Sequence, residues 1–376
     1  MQHPEQIALE VAEKLASRDR HVVFLLGAGA SCAAGLPNLD GLKTAVEDVI
    51  APDWADKYTA AAQGKNIEEV LTRLRLLAEA LGGSTDSLDG LTAESAIELD
   101  KSICSAVATV IRDASGPSST HDDFAQWISQ SRYTRPVEIF TTNYDILIEE
   151  ALERALVPYF DGFVGIHQGR FRPDLVDGGE GVSALAPPQG WPRVWKLHGS
   201  VSWTLLSEGL LRTIVREGTS GGTQSEALAI YPSTQKYQES RRMPFVVLAD
   251  RLRRALAIPK SICVVSGYSF GDQHINEVLY EAAQLNPSSE ILALFYSTIP
   301  AEPRERSLLI QNMTLLSAND AVIGGQHVEW TPPEQDSPFW REGKFTLGDF
   351  GALSGFLRRA NGPRSQSAPD ATTAAE

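Results

Sequence analysis

The chain has 376 residues, of which 43% are hydrophobic and 22% charged, and it carries a formal net charge of −15 with a pI near 5.0. These proportions are typical of a soluble globular protein with a sizeable core. Because the negative charge repels phosphate backbones, we do not expect direct, sequence-independent binding of nucleic acid.

The cysteines and the start of the chain also exclude several classes of protein. Cys32, Cys104 and Cys263 are far apart and form no CxxC pair, which argues against a structural zinc site or a disulfide framework. The first twenty residues contain no apolar h-region, and no run approaches the roughly 18 apolar residues of a membrane span. We therefore expect a cytoplasmic protein without a bound metal.

The first predicted elements are a helix, a strand and a long helical stretch. Residues 4–18 have apolar positions at helical spacing, and residues 21–27, HVVFLLG, form a short apolar run that ends in glycine. Such a run is typical of a buried parallel strand. Residues 39–49 are predicted to be helical, and so is most of 51–130, apart from a turn-rich interruption at 82–90. We interpret 51–130 as a helical insertion rather than a separate domain.

The rest of the chain repeats an order of strand, polar turn and helix. Strands are predicted within PVEIFTTNYD (136–145), RVWKLHGSVSW (193–203), SICVVSG (261–267) and EILALFYS (290–297), and a loop-rich stretch within 158–192. Strands that alternate with helices predict an α/β fold with a doubly wound, Rossmann-like parallel sheet.

The segment GAGAS, residues 27–31, directly follows the first predicted strand. A strand that ends there and continues into a helix would leave bare backbone amides where the helix dipole favours negative charge, which makes a phosphate site. Gly27 would permit the tight turn, Gly29 would let a pyrophosphate approach the backbone, and Ser31 would offer a hydroxyl. The spacing differs from GxGxxG, so the motif favours a dinucleotide but not an ordinary hydride-transfer enzyme. A purely structural role in packing stays open.

Three further polar clusters follow predicted strands. In an open parallel sheet, the carboxyl ends of the strands share one edge, which is where ligands bind. The clusters are Thr141, Thr142, Asn143 and Asp145; His198, Gly199 and Ser200; and Gly267, Tyr268, Ser269, Gly271 and Asp272. Together with GAGAS, they predict a binding site at that edge.

The order GAGAS with GLP, then TTNYD, KLHGS and GYSFGDQHIN, resembles the SIR2 family, whose members bind NAD and cleave its nicotinamide glycosidic bond. The resemblance extends over about residues 21–300 and implies an NAD-binding SIR2 fold. It implies one catalytic domain over 1–360, with the insertion at 51–130, followed by a tail at 361–376 whose small and polar residues predict disorder.

The chain departs from the deacylases of that family. After GLP it has Asn38, Leu39 and Asp40 where deacylases show Asp-Phe-Arg, and it lacks their four-cysteine zinc module. The form TTNYD with GYSFGDQHIN is instead similar to the SIR2-like branch of bacterial antiphage systems, whose members hydrolyse NAD during infection.

This resemblance implies roles for individual residues. Asn143 would hydrogen-bond ribose hydroxyls and place the attacking water, Asp145 would orient Asn143 or lend negative charge, and His198 would accept a proton. For Asp272, capping of the following helix is as good an interpretation as ligand contact. The expected contacts with NAD are Gly27, Ala28, Gly29, Ser31, Pro37, Thr142, Gly267, Tyr268, Ser269 and Asp272.

The function implied is hydrolysis of NAD, as the substrate, to ADP-ribose and nicotinamide, depleting NAD in abortive infection. Two alternatives stay open: an NAD-dependent protein deacylase or ADP-ribosyltransferase, and a non-catalytic subunit that senses NAD or ADP-ribose. The resemblance further implies a homo-oligomer with a partner ATPase of the HerA translocase type, which would carry any sensing of nucleic acid.

Overall fold

The computed structural model describes residues 2–82, 85–114, 116, 118–177, 186–208, 211–217, 228–230 and 244–360. The tail predicted at 361–376 lies outside these residues. The helices are α1 (Pro4–Ala16), α2 (Ala28–Cys32), α3 (Leu39–Val49), α4 (Pro52–Ala62), α5 (Ile67–Leu81), α6 (Ala93–Ala114), α7 (Ser119–Gln130), α8 (Leu147–Arg154), α9 (Pro173–Asp177), α10 (Phe245–Ala257), α11 (Gln273–Leu285), α12 (Ala301–Ser307) and α13 (Phe350–Ala360). Within this part of the chain, none of the helices combines the length and apolar character needed to cross a membrane.

The strands form one large sheet, a second sheet and a short hairpin. They are β1 (His21–Leu26), β2 (Glu138–Thr141), β3 (Phe163–Val164), β4 (Gln168–Phe171), β5 (Arg193–Lys196), β6 (Gly199–Glu208), β7 (Leu211–Glu217), β8 (Leu228–Ile230), β9 (Ser261–Ser266), β10 (Glu290–Leu294), β11 (Met313–Leu316), β12 (Asp320–Ile323), β13 (Gln326–Glu329), β14 (Trp340–Arg341) and β15 (Lys344–Phe345).

The large sheet has the order β13-β12-β11-β10-β9-β1-β2-β5. The strands from β11 to β5 are parallel, and β12 and β13 add an antiparallel edge that the sequence did not predict. Taken in chain order, the six parallel strands run 3-2-1-4-5-6, the order of the doubly wound dinucleotide-binding sheet. The predicted α/β fold is confirmed. The direction of winding reverses between β1 and β9, which makes their carboxyl ends the expected place for a ligand.

Both faces of this sheet are buried, as the apolar runs of its strands predicted. Along β1, Val23 and Leu25 face a core that includes α10 and α11, whereas Val22, Phe24 and Leu26 face a core that includes α1, α7, α8 and α13. Successive strand residues point to opposite faces, so a strand buried on both sides must be apolar throughout. The ends of such a strand are therefore fixed firmly in place.

The helices α3 to α6 form a block with a hydrophobic core of its own, and this core includes Tyr144 and Val201 near the ends of β2 and β5. Helices were correctly predicted for this part of the chain. However, α7, at the end of the predicted insertion, packs on the large sheet instead: the ring centroids of Phe124 and Trp127 lie 4.9 and 5.4 Å from that of Phe24. The inclusion of the block in a single domain stays a prediction.

A second, antiparallel sheet has the order β3-β4-β7-β6-β8. The prediction of a loop-rich stretch at 158–192 is wrong where β3, β4 and α9 form, because these elements are too short to show a periodic pattern. β6 begins at Gly199, so the chain leaves the large sheet immediately after His198. The prediction of a strand after the HGS turn is confirmed, but its partners lie in the second sheet.

A buried charged group lies at the opposite, amino end of the parallel strands. Glu138 is fully buried at the start of β2; it accepts hydrogen bonds from Arg251 Nε at 2.7 Å and Trp195 Nε1 at 2.8 Å, and His21 Nε2 lies 3.0 Å away. Burial alone would raise the pKa of this carboxyl, but the hydrogen bonds from His21 and Arg251 outweigh it and lower the pKa to about 2. Glu138 thus joins the sheet to α10.

Candidate functional site

Turns that follow β1, β2, β5 and β9 meet at the carboxyl edge of the large sheet. The register places Leu26 beside both Thr141 and Ser266, and Thr141 beside Lys196. The four polar clusters predicted from the sequence therefore leave the sheet side by side. Their side chains decide what the edge can bind.

The glycine turns after β1 and β9 pack directly against each other. A Cβ atom on Gly27 would lie 2.5 Å from the carbonyl oxygen of Gly267, and a Cβ atom on Gly29 would lie 2.7 Å from the Cα of Gly267. Gly267 has a φ of +66°, and its own Cβ would lie 2.3 Å from the backbone nitrogen of Ala30. Close backbone approach at the switch point thus requires glycine at all three positions. The interpretation of this motif as packing is supported here.

The expectation of bare amides in the GAGAS turn is largely wrong. The amide of Gly27 donates to Ser266 O at 3.0 Å, that of Gly29 to Gly267 O at 2.9 Å, and that of Ala30 to Gly27 O at 3.0 Å. These bonds arise because the two turns are packed together, which the sequence of either turn alone does not reveal. A phosphate approaching this loop would meet the half-buried Ala28 and the exposed face of Gly29.

A chain of hydrogen bonds links Asn143, Ser31 and Asp145. Asn143 Nδ2 donates to Gly27 O at 2.9 Å and to Ser31 Oγ at 2.7 Å, and Ser31 Oγ donates to Asp145 Oδ2 at 2.6 Å. The other carboxylate oxygen of Asp145 accepts from the amide of Leu147 at the start of α8, at 3.1 Å. Because a carbonyl oxygen only accepts, the contact with Gly27 O fixes which end of the Asn143 amide is the nitrogen.

These hydrogen bonds bear on the expected roles of Ser31 and Asp145. Ser31 is only 4% exposed and gives its hydroxyl hydrogen to Asp145, so it supports Asn143 and is not placed to donate to a phosphate in this structure. Asp145 is 5% exposed, and its carboxylate is linked to Asn143 through Ser31, which is the geometry that orientation of Asn143 would require. With both amide hydrogens engaged, Asn143 can contact a ligand only as an acceptor, through its oxygen Oδ1.

Lys196 supports the TTNYD turn from below, a role that the sequence analysis missed. Its side chain is 4% exposed, and Nζ donates to the backbone oxygen of Asp145 and lies 3.2 Å from Glu149 Oε1. Burial raises the pKa of Glu149, whereas the charge of Lys196 opposes the rise. The available signal was a lysine that directly follows the apolar residues Val194 and Trp195. Buried charges of this kind require partners, and the turn supplies them.

The helical block contacts the same turn through Tyr144, which lies between Asn143 and Asp145. Its hydroxyl donates to Glu68 Oε1 on α5 at 3.0 Å, and its backbone oxygen accepts from the amide of Val201 at 2.8 Å. Burial, reinforced by the charge of Glu68, raises the pKa of Tyr144 well above its ordinary value. The hydroxyl therefore stays protonated and donates, so the block holds the position of the turn.

His198 contacts Asp272, a pairing that the sequence did not predict. His198 Nε2 lies 3.1 Å from Asp272 Oδ2, and the side chains are 11% and 5% exposed. Asp272 Oδ1 also accepts from the amides of His274 at 2.9 Å and Ile275 at 3.4 Å, so the predicted helix cap is present. The carboxylate faces His198 and the helix at once, rather than an open surface.

The remaining residues predicted to contact NAD differ in their exposure. Tyr268 is only 7% exposed, and its hydroxyl donates to Asp272 O at 3.1 Å and Asn276 Oδ1 at 2.9 Å, so it holds the 267–272 turn in shape. Ser269 is exposed, while Thr142 and Pro37 are half-buried. Of these residues, Ser269 is the most accessible to a ligand, and Tyr268 is part of the hydrophobic core.

His121 is a second histidine near this edge, and no role was predicted for it. It is 1% exposed, and its Nδ1 lies 3.0 Å from Ser118 Oγ. Burial lowers its pKa to about 4, although the negative charges of Asp145 and Asp122 oppose the shift. The ring is therefore neutral near pH 7 and packs beneath the site.

Comparison with known proteins finds a family match in the middle of the chain. Residues 137–316 match the family model of the SIR2-like domain. The match spans β2 to β11, includes Asn143, His198 and Asp272, and covers just under half of the 376 residues. The turn at Gly27, with which Asn143 is hydrogen-bonded, precedes the matched SIR2-like segment.

Similar solved structures include three mutants of a Sir2 homologue in complex with ADP-ribose, with a histidine changed to asparagine, a serine to alanine or a phenylalanine to alanine. They are 15%, 15% and 14% identical to the chain, with TM-scores of 0.44, 0.43 and 0.43. Each alignment covers 94% of this chain and 95% of the other. No curated protein matches. At this level of similarity, nothing about activity follows.

The described residues contain no group of three or more His, Cys, Asp or Glu side chains arranged to hold a metal ion. What the edge does provide is an amide fixed by two hydrogen bonds, a histidine paired with a carboxylate, and two closely packed glycine turns. An amide oxygen and an imidazole suit the binding and activation of hydroxyl groups or water.

Proposed function

We propose that the chain is an NAD⁺ glycohydrolase, which cleaves the bond between nicotinamide and ribose to give ADP-ribose and nicotinamide. The observation that carries this proposal is the fixed amide of Asn143, bonded to Gly27 O and Ser31 Oγ at the switch point of a 3-2-1-4-5-6 sheet. That position is where dinucleotides bind in sheets of this order. The SIR2-like match over residues 137–316 supports the same substrate.

Cleavage of this bond does not require a general acid to protonate the leaving group. The nicotinamide ring of NAD⁺ already carries positive charge, so it leaves as a neutral molecule without being protonated. The sugar left behind develops positive charge, which the negative end of a fixed dipole stabilises. Asn143 Oδ1 supplies such a dipole, and the same oxygen can accept a hydrogen bond from a ribose hydroxyl or from the attacking water.

His198 takes the remaining role of accepting a proton. Water that attacks the sugar must lose a proton, and neutral imidazole accepts protons near physiological pH. A correctly placed base contributes roughly a hundredfold to ten-thousandfold to the rate, which corresponds to about 3–5 kcal/mol. We therefore assign Asn143 and His198 as the catalytic residues and Asp145 as the residue that positions Asn143 through Ser31.

The dinucleotide itself would lie along the packed glycine turns. Since the amides of Gly27 and Gly29 are bonded within the protein, we assign the pyrophosphate to the Ala28 amide and the exposed face of Gly29. We assign the adenosine side to Ser269, which is exposed two residues after Gly267. Thr142, which follows β2, and Pro37, which follows α2 in the chain, complete the proposed contacts.

The biological setting is part of this proposal and rests on the sequence resemblance. Depletion of NAD would serve antiphage defence through abortive infection in the cytoplasm. The chain would act as a homo-oligomer together with a HerA-type ATPase. A net charge of −15 supports the placement of nucleic-acid sensing in such a partner rather than in this chain.

The test is release of nicotinamide by the purified protein, alone and with the candidate ATPase. Equal amounts of ADP-ribose and nicotinamide without any acceptor are expected. Asn143→Ala and His198→Ala should each lower the rate by at least about a hundredfold while the protein stays folded. Product formation only with an acylated peptide or a protein acceptor would favour a deacylase or an ADP-ribosyltransferase. NAD binding by calorimetry without turnover under all conditions would favour a sensor.

A further inference from the structure

His198 and Asp272 approach the site from opposite sides. His198 follows β5 and Asp272 follows β9, and the sheet order β9-β1-β2-β5 separates these strands by three spacings. At about 4.8 Å per spacing, the strands are roughly 14 Å apart. Nevertheless, His198 Nε2 and Asp272 Oδ2 are 3.1 Å apart. The two turns therefore converge across the carboxyl ends of β1 and β2, the strands that lie between them.

The carboxylate of Asp272 is held in one orientation. Its Oδ1 caps α11 by accepting from the amide of His274 at 2.9 Å, and the hydroxyl of Tyr268 donates to its backbone oxygen at 3.1 Å. With Oδ1 committed to the helix, Oδ2 points at the imidazole. A side chain fixed in this way can fix the group that it contacts.

Capping alone does not specifically require an aspartate at this position. Serine, threonine and asparagine cap helices about equally well, and only a carboxylate offers a second acceptor oxygen. Because a carboxylate accepts and does not donate, the facing nitrogen of His198, Nε2, carries a proton. A neutral ring then keeps its lone pair on Nδ1, which becomes the atom able to accept a proton.

We propose that Asp272 is a positioning residue that fixes the orientation and tautomer of His198, so that Nδ1 acts as the base. This inference rests on the proposed hydrolysis of NAD, and it changes the expected role of Asp272 from ligand contact to support of His198. Asp272 acts through the imidazole and does not itself touch the substrate.

Asp272→Asn is the decisive variant, because asparagine still caps α11 but presents an amide to His198. We expect thermal stability and the KM for NAD to stay close to wild type, and kcat to fall about a hundredfold. Asp272→Ala, which removes the cap as well, should also lose stability. In the His198→Ala background, Asp272→Asn should add little further loss, since the residue through which it acts is gone.

A second readout does not depend on catalysis. Long-range ¹H–¹⁵N spectra of histidine-labelled protein, with the His198 signals assigned from His198→Ala, report which ring nitrogen carries the proton. The wild-type ring should be protonated on Nε2, and Asp272→Asn should shift the proton toward Nδ1. Unchanged kcat and tautomer in Asp272→Asn would overturn the proposal. A wild-type protein that does not cleave NAD, but whose His198 tautomer responds to Asp272→Asn, would support the pairing and overturn the glycohydrolase function.

Discussion

Ser31 links the two parts of the proposed site, and its replacement tests that link quantitatively. Ser31→Ala removes a donor to the buried carboxylate of Asp145 and one of the two acceptors of the Asn143 amide. A hydrogen bond to a charged group contributes about 1.5–3 kcal/mol and a neutral one about 1 kcal/mol. We therefore expect the free energy of unfolding to fall by about 2–4 kcal/mol, measured by urea denaturation.

The same substitution should slow catalysis. Asn143 would keep its hydrogen bond to Gly27 O but would no longer be fixed at a second point. Displacement of a catalytic group by about 1 Å lowers rates by up to about a hundredfold, so nicotinamide release should fall about ten- to a hundredfold. Binding of NAD, measured by calorimetry, should change much less than kcat.

Ser354→Ala provides a matched control. Ser354 is fully buried in α13, and its hydroxyl has no hydrogen-bond partner among the residues that the structure describes. Its removal should alter the free energy of unfolding by less than about 1 kcal/mol and leave NAD turnover intact. If Ser31→Ala behaved like Ser354→Ala in both assays, the chain of bonds from Asn143 to Asp145 would have no functional weight.

Three further predictions concern stability. The hydrogen-bonded neighbours of Glu138 hold its pKa at about 2, against an ordinary 4.5, so the free energy of unfolding should fall by about 3 kcal/mol as the pH drops from 4.5 to 2. Glu138→Gln should lose this pH dependence, measured by urea titrations. The same pH dependence in Glu138→Gln as in wild type would contradict the assignment to Glu138. Gly267→Ala should lower the melting temperature sharply, because its φ is positive and its Cβ would meet the backbone of α2, whereas Gly190→Ala, with open space around it, should melt like wild type. Tyr144→Phe should cost about 1–2 kcal/mol through the lost bond to Glu68, and equal stability by chemical denaturation would show that this bond does not stabilise the fold.

The parallel part of the sheet could be predicted because its information is local. β1, β9 and β10 each contain a continuous apolar run, which identifies strands buried on both faces, and glycine turns directly follow β1 and β9. The rule that polar turns after parallel strands share one edge then brought Asn143 and His198 to the same edge. The register and the order of the strands were not predicted, because they depend on which distant strands pair.

Contacts between distant segments could not be predicted. The pairing of His198 with Asp272 joins residues 74 positions apart, and the amide of Gly29 is satisfied by Gly267 only once both turns are packed. The second sheet was missed because its first strands are two and four residues long, too short for a periodic pattern to form. The sequence therefore indicated which residues share the edge, but not which of them hydrogen-bond to one another.

The most direct test of the central claim is an experimental structure of the assembled protein with NAD bound, using His198→Ala to slow turnover. We expect the pyrophosphate at the Ala28–Gly29 turn and the nicotinamide ribose beside Asn143, with Oδ1 about 3 Å from a ribose hydroxyl or a water facing the anomeric carbon. NAD bound elsewhere, or bound at this edge with its nicotinamide ribose turned away from Asn143, would contradict the account.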